Sequence, residues 1–191
     1  MIRLDNVSLT YGEQQVLRQC SFAAAKGEHV ALMGTSGSGK TTLLRCVAGL
    51  QKADSGQIRV EGRVAYVFQE PRLLPWLTAE ENIAVVLEKD SPLTRKLLAE
   101  CGLADAAGKY PHELSGGMQQ RVAIARALAY DAEILLLDEA LKGLDEALKD
   151  EMLALIARYT GDKTLLLATH DRREAEALCE RVLEYRNGAF V

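Results

Sequence analysis

Apolar positions along this chain gather into short unbroken runs, and each run is followed by a stretch with helical character. His29-Val30-Ala31-Leu32-Met33, Ile134-Leu135-Leu136-Leu137 and Leu165-Leu166-Leu167-Ala168 are the clearest runs. Continuous apolar segments of that length suit strands buried on both faces of a parallel sheet. Helix-like stretches follow at Thr42 to Ala48, at Asp145 to Tyr159 and from about Asp171 to Cys179. Strand and helix units alternating in this order predict an α/β core with a mainly parallel sheet.

Shorter strand-like segments fill the first third of the chain. They are Ile2 to Leu9, Val16 to Phe22, and then Gln57 to Glu61 with Arg63 to Phe68, which read as a hairpin-like pair about Gly62. These predict a small antiparallel β subdomain. Glu70 to Leu114 departs from the strand–helix rhythm with helix-like and proline-bearing stretches, and reads as an inserted helical subdomain at about 70–117. No internal repeat and no linker divides the 191 residues, so the chain reads as one domain spanning 1–191.

Candidate chemistry sits at the ends of the buried runs. Gly34-Thr35-Ser36-Gly37-Ser38-Gly39-Lys40-Thr41, with Thr42 opening the helix, follows the first run and matches G-x-x-x-x-G-K-[ST] in its strand–loop–helix setting. Small residues let successive backbone amides and a helix N-terminus wrap a polyphosphate. A helix end alone offers only about 0.3–1 kcal/mol to a charge at its tip, so the cradle also needs the Lys40 ammonium. Lys40 is expected on the β and γ phosphates and the Thr41 hydroxyl on Mg²⁺. Asp138 and Glu139 follow the second run, at the carboxyl edge of the sheet where ligands bind in open α/β folds. For a phosphate hydrolase, one carboxylate belongs on the metal and the other beside the attacking water. Asp138 is assigned to the first role and Glu139 to the second.

Between these elements lies Leu114-Ser115-Gly116-Gly117-Met118-Gln119-Gln120-Arg121. A serine and two glycines at the start of a helix-like stretch offer a hydroxyl and amides suited to a second anion. Taken together with the phosphate loop and the acidic pair, this segment resembles the LSGGQ signature of ABC transporter nucleotide-binding subunits, with Met118 in place of the glutamine. The resemblance implies a P-loop ATPase of ABC type that binds ATP and Mg²⁺. It also implies a head-to-tail dimer, of two copies or of this chain with a second ABC ATPase. In that dimer Ser115, Gly116 and Gly117 would meet the γ-phosphate held by the partner's phosphate loop.

Further positions match the same family. Gln69, after Val64-Ala65-Tyr66-Val67-Phe68, corresponds to the glutamine that reaches Mg²⁺ or its water. His170, after the third run, corresponds to the switch histidine, whose imidazole can donate to the γ-phosphate and orient the water. Tyr11 corresponds to the aromatic that stacks on adenine, and Asp145 to a cross-dimer contact. Two departures stand out: Ala140 replaces the proline after the glutamate, and Lys142-Gly143-Leu144-Asp145 replaces Ser-Ala-Leu-Asp. Neither removes a phosphate or metal ligand, although Ala140 lacks proline's fixed φ.

The segment Glu70-Pro71-Arg72-Leu73-Leu74-Pro75-Trp76-Leu77-Thr78 follows Gln69. On its own Trp76 reads as a core side chain. In the family, however, this region receives a cytoplasmic helix of the transmembrane subunit, and LLPW is similar to importers of the nitrate, sulfonate and taurine type. The implied partners are permease subunits and, indirectly, a solute-binding protein, with a small anion or related metabolite as cargo. The alternative is a non-transport ABC-type ATPase of cell division or nucleic acid.

Composition narrows the picture a little further. A net charge of −4 argues against nucleic acid as the main partner, while leaving room for a local basic patch. Cys20, Cys46, Cys101 and Cys179 are scattered without metal-ligand spacing and read as reduced packing residues of a cytosolic protein. No apolar run approaches the ~20 residues of a membrane span, and Met1-Ile2-Arg3-Leu4-Asp5 is not a signal peptide. The expected location is cytoplasmic, peripheral on the membrane's inner face through partner subunits, with no C-terminal regulatory domain.

Overall fold

The computed structural model describes residues 1–87, 91–186 and 189–190. Its contacts divide the chain into two compact units. One comprises Met1–Tyr66, Glu133–Glu139 and the chain from Thr160 onward, and the other Val67–Ala132 and Ala140–Tyr159.

In the first unit, β1 (Ile2–Tyr11) pairs antiparallel with β2 (Gln14–Ala24), and β4 (Ser55–Val60) adds to the other edge of β1. Ile2, Leu4, Val7 and Leu9 point inward, and the bulge-like shifts in register keep them there. The second sheet runs β5-β6-β7-β3-β8-β9, where β3 is His29–Met33, β5 Val64–Val67, β6 Ile134–Asp138, β7 Thr164–Thr169, β8 Arg181–Arg186 and β9 Ala189–Phe190. β3 is parallel to both β7 and β8, and β6 is parallel to β7. The unbroken apolar runs occupy these central strands, where every residue of β6 and β7 is buried. Helix α1 (Lys40–Val47) buries Leu43, Leu44 and Val47 in one core with Leu4 and Leu17 of the antiparallel sheet and Leu32, Leu136 and Leu166 of the other.

The hairpin expected about Gly62 does not form. β4 joins β1, whereas β5 joins β6 in the other sheet, so Gly62, at φ 115°, lies where the chain passes from one sheet to the other. Glu133 holds that passage: its carboxylate accepts from the Arg63 amide at 2.8 Å, and Ile134 N donates to Arg63 O at 3.1 Å. β8 and β9 were not foreseen: β8 alternates half-buried and exposed residues and β9 is only two residues long, so neither presents an apolar run.

The second unit is helical: α2 (Ala79–Ala84), α3 (Leu93–Glu100), α4 (Gly116–Ala129) and most of α5 (Glu146–Thr160). α2 and α3 pack on α4, burying Ile83, Leu97, Leu98, Val122 and Ile124. A reciprocal capping box starts α2, with Glu81 N donating to Thr78 Oγ1 and Thr78 N to Glu81 Oε2. Residues 88–90, inside the expected insertion, lie outside the described residues. Helix α6 (Arg172–Leu178), in the first unit, is capped by Asp171, which accepts from Arg173 N at 2.9 Å.

Candidate functional site

The loop Gly34 to Gly39 connects β3 to α1 and is built around its glycines. A Cβ on Gly34 would lie 2.6 Å from Ser38 Oγ, and Gly39 at φ +95° sits so close to Val16 that a Cβ would meet Val16 Cγ1 at 2.9 Å. Gly39 is also the N-cap of α1 and offers no side-chain cap, so the first amides of the helix are left for an external acceptor. The Ser38 hydroxyl is buried with no hydrogen-bond partner among the described residues. Lys40, only 4% exposed, donates to Gly34 O at 2.6 Å and Thr35 O at 3.1 Å. Burial pulls its ammonium below the usual lysine range, and the nearby Glu139 and Asp138 carboxylates oppose that shift. An uncapped helix start, a buried hydroxyl and a desolvated cation on one loop are the features a polyphosphate satisfies.

Asp138 ends β6. Period-two alternation places it on the face of Ile134 and Leu136, toward α1. It is 1% exposed; Thr41 Oγ1 donates to its Oδ1 at 2.9 Å and Tyr66 OH to its Oδ2 at 3.0 Å. Burial pushes its carboxyl up, while these two hydrogen bonds favour the ionised form. Among the described residues no group of three or more His, Cys, Asp or Glu could hold a metal ion. The Thr41–Asp138 pair nevertheless suits Mg²⁺, which is commonly held by one or two carboxylates with phosphate oxygens and waters completing the shell.

Glu139 follows with a left-handed backbone, φ 46°, while its amide continues the ladder by donating to Ala168 O at 2.8 Å. A non-glycine residue in this region stores conformational energy, on the order of 1–3 kcal/mol, of the kind found at functional sites. Its Oε1 lies 3.7 Å from Lys40 Nζ and 3.5 Å from His170 Nδ1. His170 emerges after β7 with its side chain 57% exposed, so the imidazole faces solvent on one side and the carboxylate on the other. Thr169 Oγ1, which accepts from Asp171 N, donates to the buried Glu174 and fixes the turn that carries His170. The first unit thus brings together Lys40, Thr41, Asp138, Glu139 and His170. Tyr11 lies at the tip of the β1–β2 hairpin and is 46% exposed.

Gln69, Ser115, Gly116, Gly117 and Asp145 belong to the second unit. Gln69 is exposed, two residues beyond β5, on a segment pinned to α4: Gln120 Nε2 donates to Phe68 O at 3.3 Å, and Arg126 Nη2 to Pro71 O at 3.2 Å and Arg72 O at 3.0 Å. Ser115 caps α4, its Oγ accepting from Met118 N at 3.3 Å, so that amide is already satisfied and is not left open as the sequence suggested. A Cβ on Gly116 would meet nothing within 4 Å, and one on Gly117 would lie 3.2 Å from Leu144 Cδ2. Asp145 caps α5, accepting from Leu148 N at 3.0 Å.

Two side chains change the sequence reading. Trp76 is 69% exposed and is not a core residue. Its loop is held from beneath by the fully buried Asn82, whose amide accepts from Leu74 N and donates to Leu74 O, Leu77 O and Thr78 O. Tyr66 was not foreseen as a site residue; only the pairing of β5 with β6 brings its phenol to Asp138.

The chain is similar to known proteins along its whole length. The sequence family described as ABC transporter matches residues 17–142. An aliphatic sulfonates import ATP-binding protein of Pseudomonas syringae pv. syringae is 44% identical over 194 residues, covering 100% of this chain and 71% of that protein. A namesake from Pseudomonas syringae pv. tomato is likewise 44% identical, covering 100% of this chain and 72% of that protein. Among solved structures, a dimeric post-hydrolysis state of the ATP-binding cassette MJ0796 bound to ADP and Pi superposes with a TM-score of 0.91. It is 30% identical in sequence, with 100% of this chain and 96% of that one covered.

Proposed function

The chain belongs to the ABC transporter family, and from that premise we propose that it is the ATP-hydrolysing subunit of an importer for a small anion of the sulfonate type. The observation that carries the catalytic part is the convergence on Glu139 Oε1 of Lys40 Nζ at 3.7 Å and His170 Nδ1 at 3.5 Å. A base, a phosphate-binding cation and a water-orienting imidazole at one oxygen are what γ-phosphate hydrolysis needs.

In this reading the loop amides from Gly34 to Thr42 and the Ser38 hydroxyl cradle the β and γ phosphates, and Lys40 shifts from its carbonyl partners onto them. Tyr11 stacks on adenine, a contact worth about 0.5–1.5 kcal/mol, so it tunes affinity. Thr41 and Asp138 would hold Mg²⁺, and the family resemblance gives Gln69 a role at the ion or its water. When bound, that ion neutralises charge on the β and γ phosphates. Glu139 accepts the proton of the lytic water, and His170 orients that water and donates to the γ-phosphate oxygen.

Ser115, Gly116 and Gly117 act in trans on the γ-phosphate of a second copy, and Asp145 adds a cross-dimer contact. The dimeric state of the solved relative supports this arrangement. Among the described residues no helix is long and apolar enough to cross a membrane. We place the chain, as one nucleotide-binding domain, on the cytoplasmic face of permease subunits that receive cargo from a solute-binding protein. Replacing Glu139 by Gln tests the chemistry: phosphate release should fall by about 10²–10⁴ while ATP binding persists. Unchanged turnover in that variant would remove Glu139 as the base.

A further inference from the structure

Both carboxylate oxygens of Asp138 are engaged, and the two donors differ in kind. Thr41, which donates to Oδ1 at 2.9 Å, belongs to the phosphate loop motif. Tyr66, which donates to Oδ2 at 3.0 Å, belongs to no motif read from the sequence and lies on β5, the neighbour of β6. Its half-buried ring packs with Val64 against the core that contains Ile134 and Leu136, so the phenol is held by packing and its hydroxyl reaches the acid.

An aspartate's terminal torsion is broad and roughly two-fold, so an untethered carboxylate can exchange its oxygens. A hydroxyl on a packed strand removes that freedom at one oxygen. We propose that Tyr66 is a positioning residue for the divalent cation: by holding Oδ2 it keeps Oδ1, the oxygen beside the Thr41 hydroxyl, on the cation side. The proposal rests on the reading of Thr41 and Asp138 as metal-holding residues. It assigns to the phenol the role that outer-shell partners play at metal sites, where removing such a partner typically costs 10–100-fold in metal affinity. A hydroxyl that merely satisfied a buried oxygen would affect folding stability without distinguishing metal-bound from metal-free nucleotide.

The test uses the full chain with Tyr66→Phe, which keeps the ring and removes the hydroxyl. Mn²⁺ binding to the protein–ATP complex is followed by electron paramagnetic resonance, and ATP binding in EDTA by equilibrium dialysis. The expected result is a loss of Mn²⁺ affinity on the order of 10- to 100-fold with metal-free ATP binding unchanged. Tyr66→Leu, which also loses packing, should weaken Mn²⁺ to the same extent while lowering the melting temperature further. Equal Mn²⁺ affinity in wild type and Tyr66→Phe would overturn the proposal and leave the ATPase reading intact. An equal loss of metal-free ATP binding would also overturn it. If the wild-type complex itself bound no Mn²⁺, the assignment of Thr41 and Asp138 would fall first.

Discussion

Alanine at Gly39 and alanine at Gly37 should have different consequences, although the two glycines sit two residues apart in one loop. Both have left-handed backbones, φ +95° and φ +81°. An L-residue in that region costs about 1–2 kcal/mol, so both variants carry this penalty. At Gly37 a Cβ would meet nothing within 4 Å. At Gly39 it would lie 2.9 Å from Val16 Cγ1, 3.2 Å from Leu17 Cδ2 and 3.2 Å from Val16 O. Leu17 is fully buried, so the intrusion must displace packed side chains and backbone, which adds about 1–3 kcal/mol. The totals are roughly 1–2 kcal/mol for Gly37→Ala and roughly 2–5 kcal/mol for Gly39→Ala. At about 2–4 °C per kcal/mol for a chain of this size, thermal unfolding followed by circular dichroism without nucleotide should show a drop of roughly 2–8 °C for Gly37→Ala. The drop for Gly39→Ala should be roughly 4–20 °C. Equal melting temperatures in the two variants would refute the claim that the approach of β2 shapes this loop.

Two other consequences can be measured independently. Burial pushes the Cys46 thiol from 9.0 up to about 11 and that of Cys101 up to about 12. Because the unfolded chain ionises these thiols first, stability is fully present below about pH 9 and declines above it, by up to about 1.4 kcal/mol per pH unit for each thiol. Urea titrations from pH 7 to 10 should show that decline, and Cys101→Ala should flatten it; an unchanged slope would count against the burial argument. Arg126→Ala removes a half-buried guanidinium from two backbone carbonyls. It should cost about 1.5–3 kcal/mol for the lost charged hydrogen bonds and speed amide exchange between Glu70 and Trp76, with no change in exchange arguing that the loop is held by other contacts.

How much of this was legible in the sequence depended on whether the signal was local. β3, β6 and β7 were read with little error because strands buried on both faces contain no polar interruption, and β3 has the predicted ends. β1 and β2 run two residues further into their hairpin than the apolar pattern, since Thr10–Gln15 and Tyr11–Gln14 are joined through the main chain and not by side-chain burial. The mistake at Gly62 has a different origin. A glycine between two strand-like segments marks a turn, but not whether the chain returns to the same sheet, and here β1 and β6 were the available edges. Trp76 was read as core because a large apolar ring is usually buried; the Asn82 network that holds its loop outward is assembled from residues up to eight positions apart and leaves no pattern.

The site divides in the same way. Asp138 and Glu139 stand at the carboxyl end of one buried run, and Lys40 and Thr41 open the helix that follows another, so topology alone brings them near one another. That Glu139 shares one oxygen between Lys40 and His170 required the parallel β6–β7 and β3–β7 pairings. Tyr66 was invisible for the related reason that strand alternation gives its face but not its neighbour.

Competence only as a head-to-tail pair is the central claim, and mixing two inactive variants tests it most directly. Lys40→Ala disables the phosphate loop and Ser115→Arg disables the signature, so each homodimer has two defective sites. In the mixed dimer one composite site combines both lesions and the other combines an intact loop with an intact signature. ATP hydrolysis should therefore reappear on mixing, rising to a maximum near equal amounts of the two chains. No recovery at any ratio, with heterodimer formation verified, would contradict the account.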